Sequence, residues 1–165
     1  MATAVHISIP AQRLTLTRGD GTAQRFAVST ARNGPGQQRG SECTPLGHHV
    51  IRARIGAGLD PRAVLCARRP TGEIYSPALA AREPDRDWVL GRILWLSGVE
   101  RGFNRLGDVD TMQRYIYIHG TPDTEPLGVA ASHGCIRMRP EDVVALFDAV
   151  TVGTPVHIDA ERERP

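Results

Sequence analysis

With 165 residues, 41% hydrophobic and 23% charged, the chain has the composition of an ordinary globular protein rather than a disordered or fibrous one. Its net charge is only +2, and its 20 basic residues, all Arg, are spread along the chain, which excludes a dedicated nucleic-acid surface. Three cysteines at unrelated spacings make neither a disulfide framework nor a CxxC zinc site, and no run approaches the roughly 18 apolar residues of a membrane span.

The opening stretch MATAVHISIPAQRL alternates apolar and polar residues instead of showing a basic region followed by an apolar run, so no signal peptide is expected. Free thiols fit a reducing compartment. The expected location is therefore the cytoplasm, or the periplasm if a leader has been removed. HISI, RLTLT and RFAVS read as short strands, with Gly19-Asp20-Gly21 as a hairpin signal between the second and third. Residues 33–47 read as a Gly- and Pro-rich loop, HHVIRARI as a strand, AVLCA as a short buried strand, and 70–87 as a long polar loop. His6 and His157 are expected at the surface or on an edge strand. In WVLGRILWLS (88–97) the three- and four-residue apolar spacing predicts a short helix, with Trp88, Trp95 and Leu96 as core or groove wall.

RYIYIHG (114–120) reads as a strand with Tyr115, Tyr117 and His119 on one face and Ile116 and Ile118 on the other. The clearest helix spans 140–150. Pro140 suits its first position, Glu141 and Asp142 complement the N-terminal dipole, and Val143, Leu146, Phe147 and Val150 form an apolar stripe. TPVHI is a last strand and the remainder a solvated tail. The fold class expected is mainly β with one or two helices.

Chemistry concentrates in SHGCIRM (132–138). Cys135 lies just before the 140–150 helix, beside Arg137, with His119 and His133 as imidazole partners. A thiol attacks only as thiolate, so it needs a base or a cationic neighbour. Gly134 lets a ligand approach the backbone, where amide N–H groups around 134 and 135 can stabilise an oxyanion. Spacing alone leaves the base open between His119 and His133. Cys66 reads as core and Cys43 as a half-exposed passenger. His48 and His49 point to opposite faces of a strand, so no metal site is expected there.

IHGT at 118–121 followed by SHGCIRM resembles the L,D-transpeptidase catalytic domain, the YkuD domain. VST (28–30), TPLG (44–47), RILWLSG (92–98) and RPEDVVALFDAV (139–150) look like further parts of it in the same order. The resemblance covers residues 4–159 as a single domain and leaves 160–165 as tail. It implies a small mixed β-sandwich with a helix beside the active-site loop. It also implies Cys135 as nucleophile, His119 as general base oriented by the carbonyl of Gly120, His133 and Gly134 shaping the oxyanion region, and Ser132 holding the loop. Arg137 would brace the motif or meet a substrate carboxylate. Tyr115 and Tyr117, read on the His119 face, either line the substrate groove or serve in packing. No metal or organic cofactor is implied.

The substrate class implied is a peptidoglycan stem peptide or muropeptide, cut at the L,D bond between meso-diaminopimelate and D-Ala through a thioester. With no leader expected, hydrolysis as an L,D-carboxypeptidase in cytoplasmic peptidoglycan recycling is the favoured reading. Transpeptidation or terminal exchange is the alternative, and a non-catalytic muropeptide binder the second, against which an intact Cys135 and His119 argue. Arg92, Arg114 and Arg137 are the candidates for holding a free carboxylate, because a guanidinium donates two parallel hydrogen bonds.

Overall fold

A computed structural model describes residues 2–161 of the chain. Its elements in order are β1 (Ala4–Ser8), β2 (Arg13–Thr17), β3 (Ala23–Ala27), β4 (Gly47–Ile55), β5 (Ala63–Cys66), β6 (Arg69–Ile74), α1 (Pro77–Arg82), β7 (Val89–Gly98), β8 (Tyr117–Gly120), β9 (Ile136–Met138), α2 (Pro140–Ala149) and β10 (Pro155–Asp159), with a short 3-10 turn at Gly107–Val109. The strands join in one mixed sheet with the order β3-β2-β1-β10-β4-β7-β5-β6, from which β8 and then β9 continue off β7. β1 with β10 and β8 with β9 run parallel, and the other pairs are antiparallel. The expected mainly-β architecture with two helices is therefore what is observed.

The sheet curls until its two arms share one core. Val5, Ile7, Leu14 and Leu16 from β1 and β2 pack in the same cluster as Leu94 and Leu96 of β7, Ile118 of β8, and Ile136 and Met138 of β9. Helix α2 closes that core with Val143, Leu146 and Phe147, the stripe expected from the sequence. Leu146 is fully buried, so Leu146→Ala costs about 2–5 kcal/mol of stability.

Four sequence expectations are corrected. Residues 88–97 form strand β7 instead of a helix. β7 is the central strand, covered on both faces over most of its length, and a doubly buried strand is apolar at nearly every position, so any period can be read into it. Gly91, which sits awkwardly in a helix, lies where the β7–β8 register slips between Leu90 and Ile93. The 70–87 loop contains β6 and α1, whose N-cap Ser76 accepts a 3.1 Å hydrogen bond from the Leu79 N–H, with Pro77 in the first turn.

Cys66 is exposed instead of core, because it ends β5 at a two-residue turn in which Ala67 and Arg68 both take positive φ (47° and 67°). Finally, the strand expected from 114 begins only at Tyr117. Tyr115 has φ 55° and lies outside the strand, half-exposed, yet it still lines the same cleft as Tyr117 and His119. His6 and His157 do sit at the surface, but on the interior strands β1 and β10 instead of an edge. Of the expected tail, Ala160 and Glu161 follow β10, and 162–165 lie outside the described residues.

Candidate active site

The parallel β8–β9 pair brings the two motif segments together. Ile118 is level with Ile136 and His119 with Arg137. With a side-chain period of two, Ile118, Ile136 and Met138 enter the core, while Tyr117, His119, Cys135 and Arg137 share the opposite face. That face forms a cleft of about 230 Å³, also lined by Asp87, Arg114, Ser132 and His133. A second cleft of about 320 Å³ adjoins it and shares Arg114, Tyr115, Ile116 and His133.

The loop carrying Cys135 is fastened from several sides. The N–H groups of Ala131 and Ser132 donate to the Thr30 carbonyl at 3.0 and 2.9 Å, and the Arg137 N–H donates to the Ser29 carbonyl at 2.9 Å. Thr44 Oγ1 accepts from the Ala31 N–H at 2.9 Å and donates to the Gly134 carbonyl at 2.8 Å. Ser132 Oγ donates to the Cys135 carbonyl at 2.6 Å and accepts from the Gly134 N–H at 3.2 Å. The VST and TPLG segments are thus clamps on the loop. The Gly134 N–H, one of the amides expected at the oxyanion region, is held by Ser132 Oγ. The amide of Cys135 has no acceptor among the described residues.

His119 Nδ1 donates to the Gly120 carbonyl at 2.7 Å, which leaves Nε2 as the lone-pair nitrogen on a ring that lines the cleft. Gly120 is required at that position: a Cβ there would lie 2.4 Å from the Leu90 carbonyl oxygen. Burial pushes the His119 pKa below its ordinary value, against the opposing pull of the Gly120 hydrogen bond, so the ring is neutral and able to accept a proton. Burial also pushes the Cys135 thiol up to about 11, although the Tyr117 N–H donates to Sγ at 3.3 Å. The resting pair is therefore thiol and imidazole, and attack requires that a base remove the proton.

The arginines divide sharply. Arg137 is buried and anchored by Asp87 Oδ1 at 3.2 Å and Glu125 Oε2 at 3.7 Å, the arrangement of a brace. Arg92 does not reach the cleft. It lies against α2, with its guanidinium 5.2 Å from the Phe147 ring centroid and Nη1 on the carbonyls of Leu59 and Gly91, which corrects its placement as a substrate residue. Arg114 lines both clefts and spends its donors on the carbonyls of Gly36, Gln37 and Cys43, with no carboxylate partner among the described residues.

Sequence reasoning missed Asp87, which also sits 3.8 Å from exposed His133, because it lies in an aperiodic loop. It also missed Arg68. The positive-φ turn aims this residue over Tyr115 and Trp95 (4.8 and 5.3 Å to the ring centroids), and Nη1 donates to the Tyr117 hydroxyl at 2.9 Å.

The probable L,D-transpeptidase YbiS of Escherichia coli is 49% identical over 43 residues, 26% of this chain and 14% of that protein. The putative L,D-transpeptidase YqjB of Bacillus subtilis is 46% identical over 57 residues, 34% of this chain and 31% of that protein. The matched segments thus span well under half of these relatives. Among solved structures, L,D-transpeptidase 3 of Mycobacterium tuberculosis superposes with a TM-score of 0.58 at 19% identity, over 96% of this chain and 61% of that one, a likeness of fold. The profile of the L,D-transpeptidase catalytic domain, YkuD, matches residues 2–158. The chain belongs to the YkuD L,D-transpeptidase catalytic domain family.

Proposed function

We propose that the protein is a cysteine acyltransferase of peptidoglycan stem peptides that cleaves the L,D bond between meso-diaminopimelate and D-Ala, and that water resolves the resulting thioester. One observation carries the reading: a thiol at rest and a tethered neutral imidazole line one cleft. His119 Nε2 takes the Cys135 proton as Sγ attacks the carbonyl carbon. The amide of Cys135 is placed to receive the oxyanion as the tetrahedral centre forms. Collapse breaks the C–N bond, the imidazolium returns its proton to the amine of D-Ala, and a thioester remains. His119 then activates water, the C–S bond breaks, and the thiolate is reprotonated.

Hydrolysis needs only one peptide arm in the cleft that holds His119 and Cys135, with water as the second reactant. The substrate in this reading is a released muropeptide, which makes the protein an L,D-carboxypeptidase of fragment recovery. Arg114, the cleft guanidinium without a carboxylate partner, is the residue that meets a substrate carboxylate. Transpeptidation is the second reading, favoured by the adjoining 320 Å³ cleft, which offers room for an acceptor amine.

Incubation with a disaccharide tetrapeptide, with and without an acceptor amine, followed by mass analysis, separates the two. Loss of one D-Ala in both arms supports hydrolysis, and a dimer or an exchanged terminus supports transfer. Cys135→Ala is expected to lower either rate by ~10³-fold or more. A variant that kept the parent rate would overturn the proposal.

A further inference from the structure

Far from the cleft, the outward face of the sheet carries an unusual row of side chains. β1 and β10 run parallel with His6 level with His157, and β10 pairs with β4 so that His157 is level with His48. Three imidazoles therefore stand side by side on three adjacent strands. Asp159 lies two residues beyond His157 on the same strand face, and its Oδ2 is 2.8 Å from His6 Nε2. His6, His157 and Asp159 each present a ligating atom, and all three atoms lie within 4.8 Å of one another. His157 and Asp159 also line an open surface cleft of about 450 Å³, with His48 and Glu100, so the group can be reached from solvent.

We propose that His6, His157 and Asp159 form a binding site for a borderline first-row divalent cation, with zinc as its representative. Two imidazoles and one carboxylate are a donor set such ions take, and the remaining coordination positions are left for water in the cleft. Metal–ligand bonds of ~2.1 Å in tetrahedral geometry place donor atoms about 3.4 Å apart, so side-chain rotations on fixed strands bring these donors into place. The His6–Asp159 contact is already shorter than that spacing. His48 lies outside this group of three. Its ring stacks on His157 at 4.3 Å with planes 10° apart, and its backbone N–H donates to Glu100 Oε2 at 2.8 Å, so the stacked ring supports the His157 imidazole. A bound cation would cross-link β1 and β10, the first and last strands of the described residues, and stabilise the folded state by mass action.

The test is calorimetric titration of zinc chloride into the full chain, freed of any affinity tag, in a background with Cys43, Cys66 and Cys135 changed to Ser so that thiolates do not compete. The result expected is one zinc per chain, a thermal midpoint that rises with zinc, and an affinity reduced about tenfold or more in each of His6→Gln, His157→Gln and Asp159→Asn. Circular dichroism confirms that each variant is folded, and shifts of the His6 and His157 ring resonances in the parent report the site without any substitution. Absence of binding with zinc in excess, a smaller loss in any of the three variants, or unmoved ring resonances overturns the proposal.

Discussion

His49 and His119 occupy two regions built on the same plan. Each ring is buried, each Nδ1 donates to a nearby backbone carbonyl (Gly47 at 3.0 Å, Gly120 at 2.7 Å), and burial is the first cause that holds each in the neutral form. They part at the second nitrogen. His49 Nε2 accepts from the Thr111 hydroxyl at 2.9 Å, whereas His119 Nε2 has no partner among the described residues and its ring lines the cleft with Cys135. Burial and a tethered tautomer therefore do not distinguish a working imidazole from a packed one. On the proposed reading, what distinguishes them is an unfilled nitrogen on a ring that shares its cleft with Cys135.

The largest expected effect is a kinetic one. His119→Ala lowers turnover of a tetrapeptide substrate by ~10³-fold or more, whereas His49→Gln leaves kcat within about twofold, read in the same mass-based assay. Equal losses in the two variants would break the comparison. A smaller effect concerns stability against pH. His49 falls from 6.5 to about 4 on folding, so the unfolded chain binds its proton more readily. The stability it contributes is complete above pH 6.5 and is lost as the pH falls through 4. By pH 4 the loss from this residue is about 3 kcal/mol, read as the difference between parent and His49→Gln in urea midpoints at pH 7 and pH 4.

What the sequence showed most clearly was contiguous. SHGCIRM places Cys135 beside the residues that clamp it, HG places His119 beside the carbonyl that orients it, and the 140–150 stripe faces the core because its period is local. What it hid depends on distant partners. Strand β7 reads as a helix because both of its faces are covered, by elements as far away in sequence as β1 and α2, so its apolar residues need not alternate. Asp87 lies in an unpatterned loop 50 residues before Arg137, and no local rule points to that pairing. The β5–β6 turn was invisible for a different reason. Ala67 and Arg68 take positive φ without the Asn or Gly that normally marks such a turn, so Arg68 reached the aromatic edge of the site unannounced.

The finest test of the comparison removes the plug. Thr111→Val keeps the volume of a fully buried side chain while leaving His49 Nε2 a buried acceptor without a donor, which costs about 1–3 kcal/mol of stability. No activity arises at His49, because no nucleophile faces it. The segment from Thr111 runs directly to Tyr115 and Tyr117, and the Trp95 indole N–H donates to the Met112 carbonyl at 3.1 Å, so the plug is linked by packing to the wall of the catalytic cleft. If the two regions are independent, KM and kcat for tetrapeptide stay at parent values while the thermal midpoint drops. A rise in KM at unchanged kcat would show instead that the His49 pocket holds the cleft wall in place, and the two histidines would have to be treated as one unit.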